Sequence, residues 1–93
     1  MPTVKIPPVL RPKTGGDSEV ALDGTTVGQV LEALASAHPD TRGQLFSDGE
    51  LNRYVNVYLN DEDVRVLDGL DTAVGAGDTV VILPAMAGGG AWG

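Results

Sequence analysis

Cysteine is absent from this 93-residue chain. Disulfides, thiolate nucleophiles and cysteine-bound metal are therefore excluded within it, and a reducing, cytoplasmic setting is the expectation. Histidine occurs once, at His38 beside Pro39. A Ser-His-Asp relay would rest on that single imidazole, and no nucleophile-elbow pattern accompanies it. Basic residues are few: 6 Lys and Arg stand against 13 Asp and Glu, for a formal charge of −7. Nucleic acid and anionic membranes are bound through clustered Lys and Arg, so neither is an expected partner. An acidic chain suits a partner with a basic surface, where charge steers encounter. No apolar run approaches the ~20 residues of a membrane helix. The opening MPTVKIPPVL lacks a charged region followed by an apolar stretch, so no signal peptide is expected.

What is present suffices for one small domain with one modest core. Thr3 to Leu10 alternates Val4, Ile6 and Pro8 against Lys5, Pro7 and Val9. This reads as a first strand, placed at a sheet edge because proline cannot donate to a ladder. Arg11 to Ser18 is a turn around Gly15 and Gly16, and Glu19 to Leu22 is a second strand that returns along the first. The period then changes. Val27, Val30, Leu31, Leu34 and Ala35 follow the spacing of one helical face, Thr26 with Gln29 fits a capping box, and Pro39 stops the helix near His38. Leu45 and Phe46 are expected to anchor a loop or a short second helix. Arg53 to Leu59 alternates Val55, Val57 and Leu59 against Tyr54, Asn56 and Tyr58, which is a strand with one apolar face. Asn60 to Asp63 turns the chain, and Val64 to Leu67 reads as a further short strand. Asp68 to Asp78 is a glycine-containing loop. Thr79 to Leu83 is continuously apolar, as in a central strand covered on both faces. The order gives an α+β fold, a mixed sheet on one main helix. The domain spans residues 1–84, and residues 85–93 leave the sheet as a flexible tail.

Few residues offer chemistry. His38 reads as a helix-end residue. Asn60, Asp61, Glu62 and Asp63 lack the spacing of a calcium loop and read as a solvated hairpin turn. Gly75-Ala76-Gly77 is too short for a dinucleotide fingerprint and precedes a strand. No metal site and no bound cofactor is expected in this chain. The tail differs from all of these. Gly88, Gly89 and Gly90 have no Cβ, so backbone there fits a slot closed to other residues. Beyond the glycines stand Ala91, Trp92 and Gly93. Trp92 is the only tryptophan, and a large ring on a chain end is there to be gripped or to block. Exposed aromatics beside arginine are typical binding anchors, which points to Tyr54, Asn56 and Tyr58 with Arg53 and Arg65 as a partner-docking face.

The element order, together with GDTVVILPAMAGG from Gly77 to Gly89, resembles the ubiquitin-like β-grasp sulfur carriers, a family that includes the molybdopterin synthase small subunit and the thiamin sulfur carrier. The likeness covers essentially the whole chain. It is greatest to the actinobacterial carriers of cysteine biosynthesis, through Leu10 to Gly16, Arg53 to Arg65 and Ile82 to Gly89. The resemblance implies a β-grasp fold of about four to five strands with a Gly-Gly tail. It implies that the chain is acted on rather than acting. An E1-like enzyme would adenylate a terminal glycine with ATP, and sulfur would replace AMP to leave a thiocarboxylate. Carried over by position, Gly89 would bear the sulfur and Gly88 would fit the slot, with Gly90 as the alternative mature end.

One departure qualifies the resemblance: Gly90, Ala91, Trp92 and Gly93 follow the Gly-Gly, and an amide-linked Gly89 has no carboxylate to activate. The expectation is a precursor whose residues 90–93 are removed by a peptidase, of a metal-dependent kind in similar systems. The implied sulfur acceptor is a pyridoxal-phosphate cysteine synthase. ATP, zinc and pyridoxal phosphate thus belong to partners. The alternatives are sulfur donation to a specialised natural-product pathway, a protein modifier conjugated through Gly89, and activation at Gly93 itself.

Overall fold

The structure is a computed structural model and describes residues 1–47, 49–52 and 54–84. In chain order its elements are β1 (Thr3–Lys5), β2 (Glu19–Ala21), α1 (Val27–Ala37), the one-turn α2 (Arg42–Leu45), β3 (Phe46–Ser47), β4 (Glu50–Leu51), β5 (Val55–Leu59), β6 (Glu62–Asp63) and β7 (Thr79–Pro84). Short 3-10 turns at Pro8–Thr14, Pro39–Thr41, Val64–Val66 and Gly69–Asp71 fill the connections. Five strands form one sheet in the order β2-β1-β7-β5-β6, and β3 and β4 make a separate two-stranded ribbon. The apolar run at the end of the domain is central, as expected. β7 lies parallel to β1, with Val4 opposite Val80, and antiparallel to β5, with Val57 opposite Ile82. The remaining pairs, β1 with β2 and β5 with β6, are antiparallel.

Alternation decides which side of the sheet is buried. Val4, Val55, Val57, Val80 and Ile82 turn inward and meet Val27, Val30, Leu31 and Leu34 of α1, with Leu10, Leu45 and Val64 closing the rim. Each such side chain contributes about 1.5–3 kcal/mol relative to an exposed one, which makes this layer the main source of stability. The other side of β7 is not covered in the same way: Thr79 and Val81 are half-buried and Leu83 is exposed. The expectation of a strand buried on both faces is thus corrected. The run is continuous in sequence, yet only its even-numbered members contact the helix.

Three further expectations change. The first strand stops at Lys5 and not at Leu10, because Pro7 holds an extended φ of −68° and ψ of 155° and Pro8 opens a 3-10 turn. Proline fits the first position of a helical turn, where its missing N–H is not needed. The first strand is also interior, lying between β2 and β7, and the sheet edges are β2 and β6. Pro2 and Pro7 flank the three paired residues of β1, so neither missing donor falls in the ladder. Finally, Val64–Val66 is a 3-10 turn and not a strand. The Asp63 carboxylate accepts from the Arg65 N–H at 2.9 Å and turns the chain away from the sheet. Val64 is then buried and Val66 is 76% exposed.

The helix starts as its cap predicts, with one displacement. Thr26 Oγ1 accepts from the Gln29 N–H at 3.2 Å. The Gln29 side chain, however, reaches back to the N–H and hydroxyl of Thr25, both at 2.8 Å, one residue before the expected partner. The Val27 N–H donates to Thr72 O, and the Val74 N–H donates to Thr25 O, pinning this end of α1 to the loop that follows β6.

Candidate functional site

Gly88 and Gly89, and the following Gly90, Ala91, Trp92 and Gly93, lie outside the described residues. The structure does show on which strand the described residues end. Pro84 ends β7 at the register of Val55, and Leu83 stands opposite Asn56. The described chain therefore ends on a central strand, with the start of β5 on one side and the chain leaving β1 on the other.

Several expected docking residues assemble around that point. Asn56 and Tyr58 alternate with the buried Val55 and Val57, so they stand on the outer face of the sheet. Tyr58 is half-buried, opposite Val81 on β7 and Asp63 on β6. Tyr54, one residue before β5, is 45% exposed, and its N–H donates to Asn52 Oδ1 at 2.9 Å. Arg65 comes from the far side of the β5–β6 hairpin. Its Nη1 donates to Asn56 Oδ1 at 2.9 Å and its Nη2 to Asn52 O at 3.0 Å. Two bonds thus hold the planar guanidinium beside the first residues of β5, where Arg65 faces solvent. Arg53, also expected on this face, lies outside the described residues.

Two features were missed in the sequence. Leu83 is 43% exposed and shares the outer face with Val81, so an apolar strip borders Asn56 and Tyr58. The alternation of Val81 and Leu83 with Val80 and Ile82 was the available signal, masked by reading the run as uniformly buried. Arg11 is the second. Its Nε donates to Ile6 O at 3.2 Å, one residue beyond β1. The Ile6 N–H donates to Ser18 O, so this backbone edge faces β2 and Arg11 stands on the side of β1 away from β7. No sequence signal pointed to it.

The remaining candidates have structural work. His38 caps α1, its N–H donating to Leu34 O, while its carbonyl accepts from the N–H and hydroxyl of Thr41. Asn60 and Asp61 take positive φ values of 49° and 75° and make the β5–β6 turn. Asn60 Nδ2 donates to Asp78 Oδ1 at 2.9 Å, and Asn60 Oδ1 accepts from the Thr79 N–H at 3.0 Å. Asp78 Oδ2 accepts from the Gly75 N–H at 2.7 Å. The Gly75 N–H first, and Asn60 second, hold the Asp78 carboxyl below the usual aspartate range. Glu32 and Arg42 make a bidentate exposed pair at 2.6 and 3.0 Å. Hydrogen bonding from Arg42 lowers the Glu32 carboxyl. Among the described residues no His, Asp and Glu side chains gather as a metal-binding group. None of their helices is long and apolar enough to cross a membrane.

A domain with a closed core and a central last strand, followed in sequence by a glycine run, matches what comparison with known proteins finds. The model of the ThiS family matches residues 4–89. The chain is 49% identical over 90 residues to the sulfur carrier protein CysO of Mycobacterium tuberculosis, covering 94% of this chain and 97% of that protein. It is 43% identical over 67 residues to small archaeal modifier protein 3 of Haloferax volcanii, covering 72% of this chain and 73% of that protein. Among solved structures, a chain from the crystal structure of the Amycolatopsis orientalis BexX/CysO complex superimposes with a TM-score of 0.89 at 45% identity, covering 96% of this chain and 100% of that one. Fold and sequence agree: the chain belongs to the ThiS family, the ubiquitin-like β-grasp carriers, and is a carrier rather than a catalyst.

Proposed function

We propose that the chain is a sulfur carrier made as a precursor, in which Gly89 becomes the sulfur-bearing end once residues 90–93 are removed. The observation that carries this reading is the family match, which runs through the central strand and ends on Gly89. The chemistry follows from the weakness of a carboxylate as an acyl donor. An E1-like enzyme would direct the Gly89 carboxylate to the α-phosphorus of ATP, releasing pyrophosphate and forming an acyl adenylate. Hydrosulfide would then attack the acyl carbon, and AMP would leave with the former carboxylate oxygen. The product, a C-terminal –COS⁻, is a sulfur nucleophile tethered to a folded domain. Gly88 lets the backbone enter a narrow slot. A peptidase, metal-dependent by analogy with similar systems, would expose the Gly89 carboxylate, and a pyridoxal-phosphate cysteine synthase would accept the sulfur. ATP, zinc and pyridoxal phosphate act in those partners.

ATP–pyrophosphate exchange with the cognate activating enzyme tests this reading. A chain ending at Gly89 is expected to support exchange, and the full chain is expected to be inert because its Gly89 carbonyl is an amide and the indole of Trp92 obstructs a glycine slot. Equal exchange by the full chain would refute the precursor, with Gly93 as the activated residue. No exchange by the folded Gly89-terminated chain would refute the carrier. A second reading, a modifier joined to lysines through Gly89, draws on the 43% identity to small archaeal modifier protein 3. Conjugates of higher mass in a blot of cell extract would favour it over a free thiocarboxylate.

A further inference from the structure

The outer face of the sheet carries an apolar strip, and the register fixes its members. Val81 stands opposite Tyr58 on β5 and opposite Lys5 on β1, and Tyr58 stands opposite Asp63 on β6. The residues that alternate with them, Val4, Val57, Val80 and Ile82, are buried on the helix side. Leu83, two residues further along β7, continues the strip and is 43% exposed, while Val81 and Tyr58 keep part of their surface in water. Contiguous exposed apolar surface is where another segment docks. The segment that follows β7 in sequence is of a matching kind. Residues 85–93, AMAGGGAWG, carry no charged side chain and include Met86 and the only tryptophan, Trp92. Trp92 is the eighth residue after Pro84. A glycine-rich chain of that length spans about 16 Å on average. Val81 lies three residues back from Pro84, about 10 Å along the strand, so the strip is within reach. The glycines at 88–90 permit the reversal, since backbone without a Cβ takes positive φ at no steric cost.

We propose that Trp92 docks on the outer face of its own chain, with the indole against Val81, Leu83 and Tyr58. The strip offers an aromatic partner in Tyr58, and Lys5, exposed beside Val81, stands where an ammonium can lie over an indole. Tethering supplies the rest. A short linker holds its end at an effective concentration in the millimolar range, so a contact too weak to form between separate molecules is populated about half of the time within one. The outer face then stays open to water for the other half. A second copy of the chain is the poorer occupant, because it brings another formal charge of −7 while residues 85–93 bring no charged side chain. The consequence rests on the precursor reading: the cut that frees the Gly89 carboxylate also removes Trp92, so the outer face is uncovered in the same step. The uncut chain thus conceals both the glycine to be activated and part of the sheet face beside it.

The contact is read on the full chain with no activating enzyme present, so its failure is distinct from failure of the carrier reading, which ATP–pyrophosphate exchange decides. With one tryptophan in the chain, fluorescence reports this site alone. Emission of the full chain should be blue-shifted from that of a free peptide of residues 85–93. Acrylamide should quench it about twofold less, as for an indole shielded about half of the time. Leu83→Gln should return both values to those of the peptide, with its fold checked by circular dichroism. Trp92→Ala supplies an arm that leaves the domain unaltered. In methyl NMR spectra the indole ring current should displace the Val81 and Leu83 signals of the full chain, and Trp92→Ala should return them to their positions in the chain ending at Gly89. These shifts should not change between about 0.02 and about 0.5 mM protein, below the effective concentration within one chain. Peptide-like emission, or Val81 and Leu83 methyls unmoved by Trp92→Ala, would overturn the contact. Shifts that grow with concentration would overturn it too, and would assign the strip to a second copy.

Discussion

The two faces of the five-stranded sheet are built from the same strands and serve different ends. On the inner face Val4, Val55, Val57, Val80 and Ile82 are wholly buried against α1. On the outer face Asn56, Tyr58, Val81 and Leu83 keep some or much of their surface in water. The composition of β7 hardly differs between its two sides, since Val80 and Ile82 alternate with Val81 and Leu83. What differs is the partner. The inner side meets a helix of this chain, while the outer side keeps part of its surface in water. Hydrophobicity in a strand therefore marks burial only when something in the fold covers that face.

The sharpest test of that contrast substitutes two adjacent residues. Ile82→Ala should cost about 2–5 kcal/mol in denaturant unfolding, because it empties a filled site between sheet and helix. Leu83→Ala should change stability by no more than about 0.5 kcal/mol, since the side chain is already 43% exposed, and should instead weaken binding to the activating enzyme. Equal destabilisation by both would show that the outer face is covered in solution, for instance by the chain's own tail.

The inner side can also be probed through backbone, where space replaces hydrophobicity as the deciding quantity. A Cβ on Gly24 would stand 2.9 Å from the Val30 backbone nitrogen and 2.8 Å from its Cγ2. Gly24→Ala should therefore destabilise by about 1–3 kcal/mol despite the lower chain entropy that alanine brings to the unfolded state. A neutral result would mean that the start of α1 shifts freely, contrary to its bonds with Thr72 and Thr25.

The smallest expected effect concerns the two ends of the sheet. Asp78 braces the start of β7 through Gly75 and Asn60, and these bonds lower its folded pKa below the unfolded value near 3.8. A lowered carboxyl pKa stabilises the fold at pH above the unfolded value, and that contribution disappears as pH falls through the folded one. Acid unfolding should then be slightly less steep in Asp78→Asn below about pH 4, with binding at the tail end untouched. An unchanged acid profile would mean that the brace does not outlive hydration at the surface.

Where local rules act alone, the chain was legible. α1 has its predicted face, its Thr26 cap and its end at His38, because helical periodicity and capping depend on neighbours within four residues. β5 and the Asn60-Asp61 turn follow for the same reason, since alternation and positive φ are local properties. Local rules misled at Pro8 and Val64. There a short apolar pattern looked extended, while proline geometry and the Asp63 side chain produced 3-10 turns.

The sequence by itself determined the fold class, the inward-facing residues of α1 and β5, and the Gly88-Gly89 pair on which the carrier reading turns. Only the tertiary structure decided that β1 is interior, that one side of β7 remains open, and that Arg65 meets Asn56 and Asn52, 9 and 13 residues away along the chain. The reason is physical. Periodicity records which side of an element is apolar, but the strand order, and with it the meeting of Arg65 with Asn56, is set by how all the elements share one core.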